Sequence, residues 1–335
     1  MYIKITEARF AKISASIMKT KIPLKGENNM KKKVLVLGMV LAMSLSLTAC
    51  KSTDYKDAVE LEESGDYAGA LEIFNTLTDY KDANDHAVSC QAMVDAISAY
   101  DTASSEAATK NEELDSKISD AEALLAEGKT ALDETLIPAL ETAVSNTKAA
   151  KVEIPDMPAT EDEILAVVDE LNAIDYTSAL AELVSSQEAL ETSIAQYALV
   201  DNPSEGYIIE CLGEVEHVVD ISAVTEDNDP NGNLNKAGGY TAQVYFSSDL
   251  VNQSSVSGST VIEKGTDCGG SIEVYANVDD ANKRNDYLAT FDGSIFASGS
   301  HTLIGTCVVR TSDNLKASEQ KEMEANIIEA LISLE

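Results

Sequence analysis

Asp201-Asn202-Pro203-Ser204 divides this chain into two kinds of sequence. Before it, from about Asp85 to Val200, nearly every residue is a helix former. After it, glycine, aromatic and β-branched residues become common. An aspartate, an asparagine, a proline and a serine in a row stop a helix and start a turn. The tetrapeptide therefore predicts a multidomain chain, with an all-α N-terminal part followed by a small α+β domain.

Upstream of the divide, Leu114, Ile118, Ala121, Leu125, Leu132, Leu136, Leu140 and Val144 form a stripe at spacings of three, four and seven. Ile164, Val167, Leu171, Ile174, Leu183, Leu190, Ile194 and Tyr197 form another. Each stripe is narrow, a seam rather than a full core face. Pro155 and Pro158 interrupt the two, and Thr160-Glu161-Asp162-Glu163 reads as a capping box that restarts the helix. Residues 96–200 are thus expected to fold as a long antiparallel helical hairpin or coiled-coil spacer. Its first arm, 112–150, would be roughly 60 Å long, with a kink at Pro138. Dimerisation through the same seams is the rival arrangement, so a homodimer stays open.

Downstream, Ile208, Ile209, Leu212, Val215 and Val219 suggest one helical face. Tyr240, Ala242, Val244 and Phe246 alternate with Thr241, Gln243 and Tyr245 as a half-buried strand. Ile272, Val274 and Ala276 mark a second strand and 303–309 a third. Helices are expected at 279–288 and around Met323, Ile327, Leu331 and Leu334. Residues 205–335 then read as an α+β domain with helices on one sheet face.

At the other end, Lys31, Lys32 and Lys33 precede a charge-free apolar run from Val34 to Leu47, and Thr48-Ala49-Cys50 follow. The run is shorter than the roughly 20 residues that span a bilayer, and its basic front fits a removable export signal over 30–49. Leu47-Thr48-Ala49-Cys50 resembles the bacterial lipobox. The resemblance implies that the Cys50 sulfur carries a diacylglyceryl group, a palmitate-type lipid, and that Cys50 begins the mature chain, with 50–54 as a lipidated linker. Two acyl chains anchor stably where one binds marginally. The mature protein is expected on the outer face of the bacterial cell membrane, held there by lipid. A chance Leu-x-Ala-Cys at the end of a buried helix is the alternative. Residues 1–29 have no place before such a signal, and Lys25-Gly26-Glu27 can be encoded by a purine-rich string like a ribosome-binding site. Met30 is therefore expected as the true start.

Charge narrows the partners. The chain holds 24 basic and 58 acidic residues; nine basic and two acidic ones precede Cys50, which leaves 15 against 56, a net of −41. Such a body repels nucleic acid and anionic head groups. Cys90, Cys211, Cys268 and Cys307 allow three full disulfide pairings. No Cys-x-x-Cys or nearby histidine supports a zinc site.

Tyr55-x-x-Ala58-x-x-Leu61-x-x-x-Gly65-Asp66-Tyr67-x-x-Ala70-x-x-x-Phe74-x-x-Leu77 resembles one tetratricopeptide-type repeat over 55–95, and Tyr80 to Ala83 opens a partial second. The resemblance implies small Ala58 and Ala70 where two helices touch, with Tyr67 and Phe74 between them. Such repeats usually need at least three copies to bury their faces, so packing against the next helix is expected rather than an array. The segment 205–335 resembles a module of secreted proteins and lipoproteins of Gram-positive bacteria. The resemblance is carried by Glu226-Asp227-Asn228-Asp229-Pro230-Asn231-Gly232, Gly238-Gly239-Tyr240, Gly270-Ser271-Ile272-Glu273-Val274-Tyr275, Gly299-Ser300-His301 and Val309-Arg310-Thr311-Ser312. It implies location and architecture, with no activity attached.

Three features bear on chemistry. Asp227, Asp229, Asn231 and Asn233 occupy positions one, three, five and seven of a calcium-type loop with Gly232 at six, but Gly238 stands where the bidentate glutamate belongs. The same stretch is an ordinary turn former. His301 stands beside Ser300, yet neighbours on a strand point to opposite faces and no nucleophile elbow surrounds them. Arg310, one of two arginines after Cys50, can pair a buried carboxylate or grip an acidic ligand group. These features predict a non-enzymatic lipoprotein whose α+β domain binds a protein, an envelope polymer or a small ligand. An envelope assembly factor acting through its helices and a hydrolase centred on His301 are the rivals.

Overall fold

A computed structural model describes residues 51–294 and 299–334. The expected export signal, the anchor Cys50 and the start at Met1 or Met30 all lie outside the described residues. Among the described residues no helix is long and apolar enough to cross a membrane. They form two units that divide at Val94/Asp95.

In the first unit, α1 (Lys51–Glu63) and α2 (Tyr67–Phe74) are joined by a turn in which Gly65 has φ +86°, a conformation that suits glycine. Asp66 caps α2 by accepting the Gly69 amide at 2.9 Å. Ala58, Ala70 and Phe74 are fully buried, as the repeat pattern requires, while Tyr67 is only half-buried. The pentapeptide Asp54-Tyr55-Lys56-Asp57-Ala58 recurs as Asp79-Tyr80-Lys81-Asp82-Ala83. Both alanines are fully buried, and Tyr55 and Tyr80 meet edge to face at 5.8 Å. The second copy leads into α3 (Ala83–Ala126), a single 44-residue helix, so no second hairpin follows.

The expected two-armed hairpin is instead a set of shorter helices: the rest of α3, then α4 (Leu136–Ala150), α5 (Glu161–Asn172) and α6 (Thr177–Val200). The first arm breaks after Ala126, where Gly128 has φ +60°. Pro138 does not kink it. It stands in the first turn of α4, where a missing amide leaves no helical bond unmade. The arm 112–150 is therefore two antiparallel helices, tied by Lys148 to Glu122 and Lys151 to Asp115. Thr160 donates its hydroxyl to Glu163 and forms no capping box. The stripes do mark the core: Leu114, Ile118, Leu140, Val144, Ile164, Leu171, Leu183 and Leu190 are buried. Burying both stripes takes several helices because each seam is narrow.

Past the divide come α7 (Glu205–Gly213), β1 (Val218–Ala223), β2 (Tyr240–Ser248), the single turn α8 (Val261–Lys264), β3 (Gly269–Tyr275), α9 (Val278–Ala289), β4 (His301–Ile304), β5 (Cys307–Thr311) and α10 (Ala317–Leu331). The strands form one antiparallel sheet in the order β1-β2-β3-β5-β4. The expected third strand, 303–309, is the β4–β5 hairpin, and Val219 belongs to β1 and is exposed rather than lying on a helix. One sheet face carries Val244, Phe246, Ile272, Val274 and Val309 against Ile208 and Leu212 of α7 and Met323 and Ile327 of α10. The other carries Tyr240, Tyr245, Tyr275 and Val308 against Ile262, with Ala281 and Leu288 of α9. Helices thus cover both faces rather than one. For that reason β2 and β3 are buried nearly throughout, not half-buried.

The helical region and the sheet belong to one unit. The Val200 carbonyl at the end of α6 accepts the Thr306 amide at 2.9 Å in the β4–β5 turn. Gly305 permits this approach, since a Cβ there would lie 2.5 Å from that carbonyl oxygen. Cys90, Cys211, Cys268 and Cys307 are all buried free thiols, so none of the three pairings forms.

Candidate functional site

The α9 side of the sheet is unusually polar for a covered face, carrying Gln243, Glu273 and Arg310, and one irregularity adds Tyr240 to it. Alternation puts Tyr240 beside Ala242, Val244 and Phe246. A register shift between Tyr240 and Ala242 sends Tyr240 to the opposite face instead. Bulges re-aim side chains in this way. Tyr240 thereby reaches Asp229, to which its hydroxyl donates a short hydrogen bond.

Asp229 is the hub of the preceding loop. Its carboxylate also accepts the amides of Leu234 at 2.8 Å and Asn231 at 3.0 Å. Burial alone would raise its pKa, but the Tyr240 hydroxyl and these amides outweigh that effect and hold it at about 2. The Asp229 carboxylate is thus committed to protein donors, while Asp227, Asn231 and Asn233 are exposed. Among the described residues no group of three or more His, Cys, Asp or Glu is placed to hold a metal. The stretch acts as a hydrogen-bonded turn. Its tightness depends on Gly239, where a Cβ would lie 2.0 Å from the Asn233 carbonyl oxygen. Tyr240→Phe removes the side-chain donor, so the Asp229 midpoint should move up from about 2 toward 3.8. Carboxyl NMR titration would check this; an unmoved midpoint would assign the depression to the amides alone.

Beneath this loop Glu273 of β3 is fully buried. Its Oε2 accepts Arg284 Nε at 2.7 Å and the Tyr275 hydroxyl at 2.8 Å. Its Oε1 accepts Arg284 Nη2 at 2.8 Å and Arg310 Nη1 at 3.1 Å. Four donors saturate a carboxylate. Burial would raise the Glu273 pKa, but the Arg284 hydrogen bonds and the charges of Arg284 and Arg310 reverse the direction and lower it. Arg310 therefore pairs a buried carboxylate, one of the two roles open to it. Glu273 and Arg284 were not identifiable as site residues from spacing. A glutamate in an alternating strand reads as solvent-facing, and the one available signal was that Arg284 is the other arginine after Cys50.

His301 is the cross-strand partner of Arg310. Its Nδ1 lies 2.7 Å from Asn285 Oδ1 and its Nε2 3.3 Å from Asp292 Oδ1. Ser300 and Thr302 instead hydrogen-bond Glu324 of α10. The neighbours thus point to opposite sides, and no serine–histidine pair forms.

A cleft of about 300 Å³ opens between the 231–239 loop and α9, lined by Asn231, Asn233, Tyr240, Tyr275, Arg284 and Tyr287 among others. Of the sequence-predicted residues it gathers Asn231 and Asn233 directly and Asp229 through Tyr240. His301, Arg310 and Asp227 do not line it. A larger groove of about 860 Å³ between α7 and α10 is edged by the exposed carboxylates of Glu210, Glu214 and Glu329 and contains none of these residues. Comparison with protein-family models, curated proteins and solved structures finds no match to this chain.

Proposed function

We propose that this chain is a non-enzymatic binding protein, lipid-anchored through Cys50 on the outer face of a bacterial membrane. In this reading its helical region spaces the α+β region from the membrane, and a ligand of the envelope sits in the cleft beside α9. The observation that carries the reading is the wall of that cleft. Arg284 is held from behind by two hydrogen bonds to a buried carboxylate, so a ligand meets an already ordered guanidinium. Binding is favoured over hydrolysis because Glu273 is saturated with donors, Asp229 is held ionised by three hydrogen bonds, Asp280 of the lining is paired with Lys283, and His301 lies outside the cleft.

The test is retention of the purified protein on cell envelopes of its source organism. Wild type should co-sediment, and Tyr287→Ala, a change at a side chain 55% exposed, should cut retention at least several-fold. Equal retention of the two would reject the cleft as the binding site.

A further inference from the structure

We propose that the cleft takes a sugar ring bearing a carboxylate, a uronic acid or an acid-substituted hexose at the accessible end of an envelope saccharide. This deepens the binding reading and rests on it.

Four features of the lining point to that chemistry. Arg284 uses Nε and Nη2 to hold Glu273, and the side chain also lines the cleft. Nη1 and the second proton of Nη2 form the opposite edge of the guanidinium. A planar fork of this kind matches a carboxylate in two parallel hydrogen bonds. The second feature is Tyr287, a residue 55% exposed, whose ring meets Phe291 edge to face at 5.1 Å and has the Arg284 guanidinium over it, 5.6 Å from its centroid. The exposed part of this ring, with the cation over it, offers an apolar surface for the C–H face of a pyranose whose carboxylate reaches the cation. Thirdly, the exposed side-chain amides of Asn231 and Asn233 supply donors and acceptors around the rim, as ring hydroxyls require. Lastly, about 300 Å³ is at the small end of ligand pockets and suits one ring or two, not a folded peptide or a polymer segment.

Charge separates carboxylate from phosphate. Lys283, the other cation of the lining, is already paired with Asp280 at 2.8 Å. Glu273 carries one charge against the two of Arg284 and Arg310, so that cluster keeps one net positive charge, enough for a singly charged group rather than a dianion. The chain's net charge is −34, so an anion is favoured only at such a local arrangement, within a Debye length of roughly 8 Å at physiological salt.

The experiment is ligand-observed NMR and calorimetry on the purified protein with D-glucuronate, D-glucose, glucose 1-phosphate and acetate. Saturable binding of glucuronate, at least tenfold tighter than glucose or glucose 1-phosphate and with acetate silent, is expected. Tyr287→Ala should weaken it at least tenfold. Arg284→Lys, its folding checked by melting, should weaken glucuronate by a larger factor than it weakens glucose. Equal affinity for glucose and glucuronate, preference for the phosphate, or glucuronate binding that survives both substitutions would overturn the proposal. If no sugar binds while Tyr287→Ala still abolishes envelope retention, the ligand class is wrong and the cleft reading stands. If retention is also indifferent to Tyr287, both fall.

Discussion

Glu273→Gln should destabilise the unit spanning residues 95–334 by about 3–5 kcal/mol, because it leaves the buried Arg310 and the half-buried Arg284 guanidiniums facing a neutral amide. The loss would appear as a lowered urea midpoint with little change in slope. Replacing the whole cluster, as Glu273→Leu with Arg284→Met and Arg310→Met, should recover most of it, since apolar groups of similar volume need no counter-charge. Failure of the triple variant to recover would mean that the cluster holds the sheet face by geometry that apolar side chains cannot copy. The pH dependence has a definite sign. Glu273 has a folded pKa below its ordinary value of 4.5, so its contribution is complete above that value and is lost as the pH falls through the folded one. Wild type should therefore lose stability below about pH 4.5 more steeply than Glu273→Gln, and the two curves should converge in acid.

Phe246→Ala should cost about 3–5 kcal/mol by a different route, through a cavity. Phe246 is fully buried on the α7/α10 face and pairs across the sheet with Gly270. Its ring covers that glycine so closely that a Cβ on Gly270 would sit 2.3 Å from the ring edge and 2.3 Å from the Arg310 carbonyl oxygen. Adding Gly270→Ala should not rescue the variant, since the second clash is with backbone. The cleft is on the opposite face, so the residual folded protein should bind as wild type does. Glu273→Gln, in contrast, should lose both stability and binding. Urea unfolding combined with the envelope assay separates the two outcomes.

The helical core was legible because a buried stripe repeats at the helical period whatever it packs against. Leu114, Leu140, Ile164 and Leu183 were identified in this way. The breaks at Gly128 and Ala173–Tyr176 were not, since the apolar residues on either side keep a compatible spacing across each gap. In the sheet, alternation located β2 and β3 but misplaced Tyr240, because a bulge depends on how two strands pair and leaves no mark in either alone. Of the candidate site, Asp229, Asn231, Asn233 and Arg310 were visible as residue types with evident uses. Their roles changed once their partners were known. Asp229, a candidate calcium ligand or turn residue by spacing, is the hub of its loop, and Arg310 pairs a buried carboxylate.

The sequence by itself determined the change from helix to α+β at Asp201–Ser204, the stripes that become the core, the strong acidity and the scarcity of arginine. All of these are properties of a residue or of its near neighbours along the chain. Only the tertiary structure brought Asp229, Tyr240, Glu273, Arg284 and Arg310 to one sheet face and covered that face with α9. Glu273 and Arg310 lie 37 residues apart along the chain and 3.1 Å apart in space. The order β1-β2-β3-β5-β4, which sets β3 beside β5, makes that contact, and long-range strand pairing is fixed by burial of the whole sheet rather than by any local run of residues.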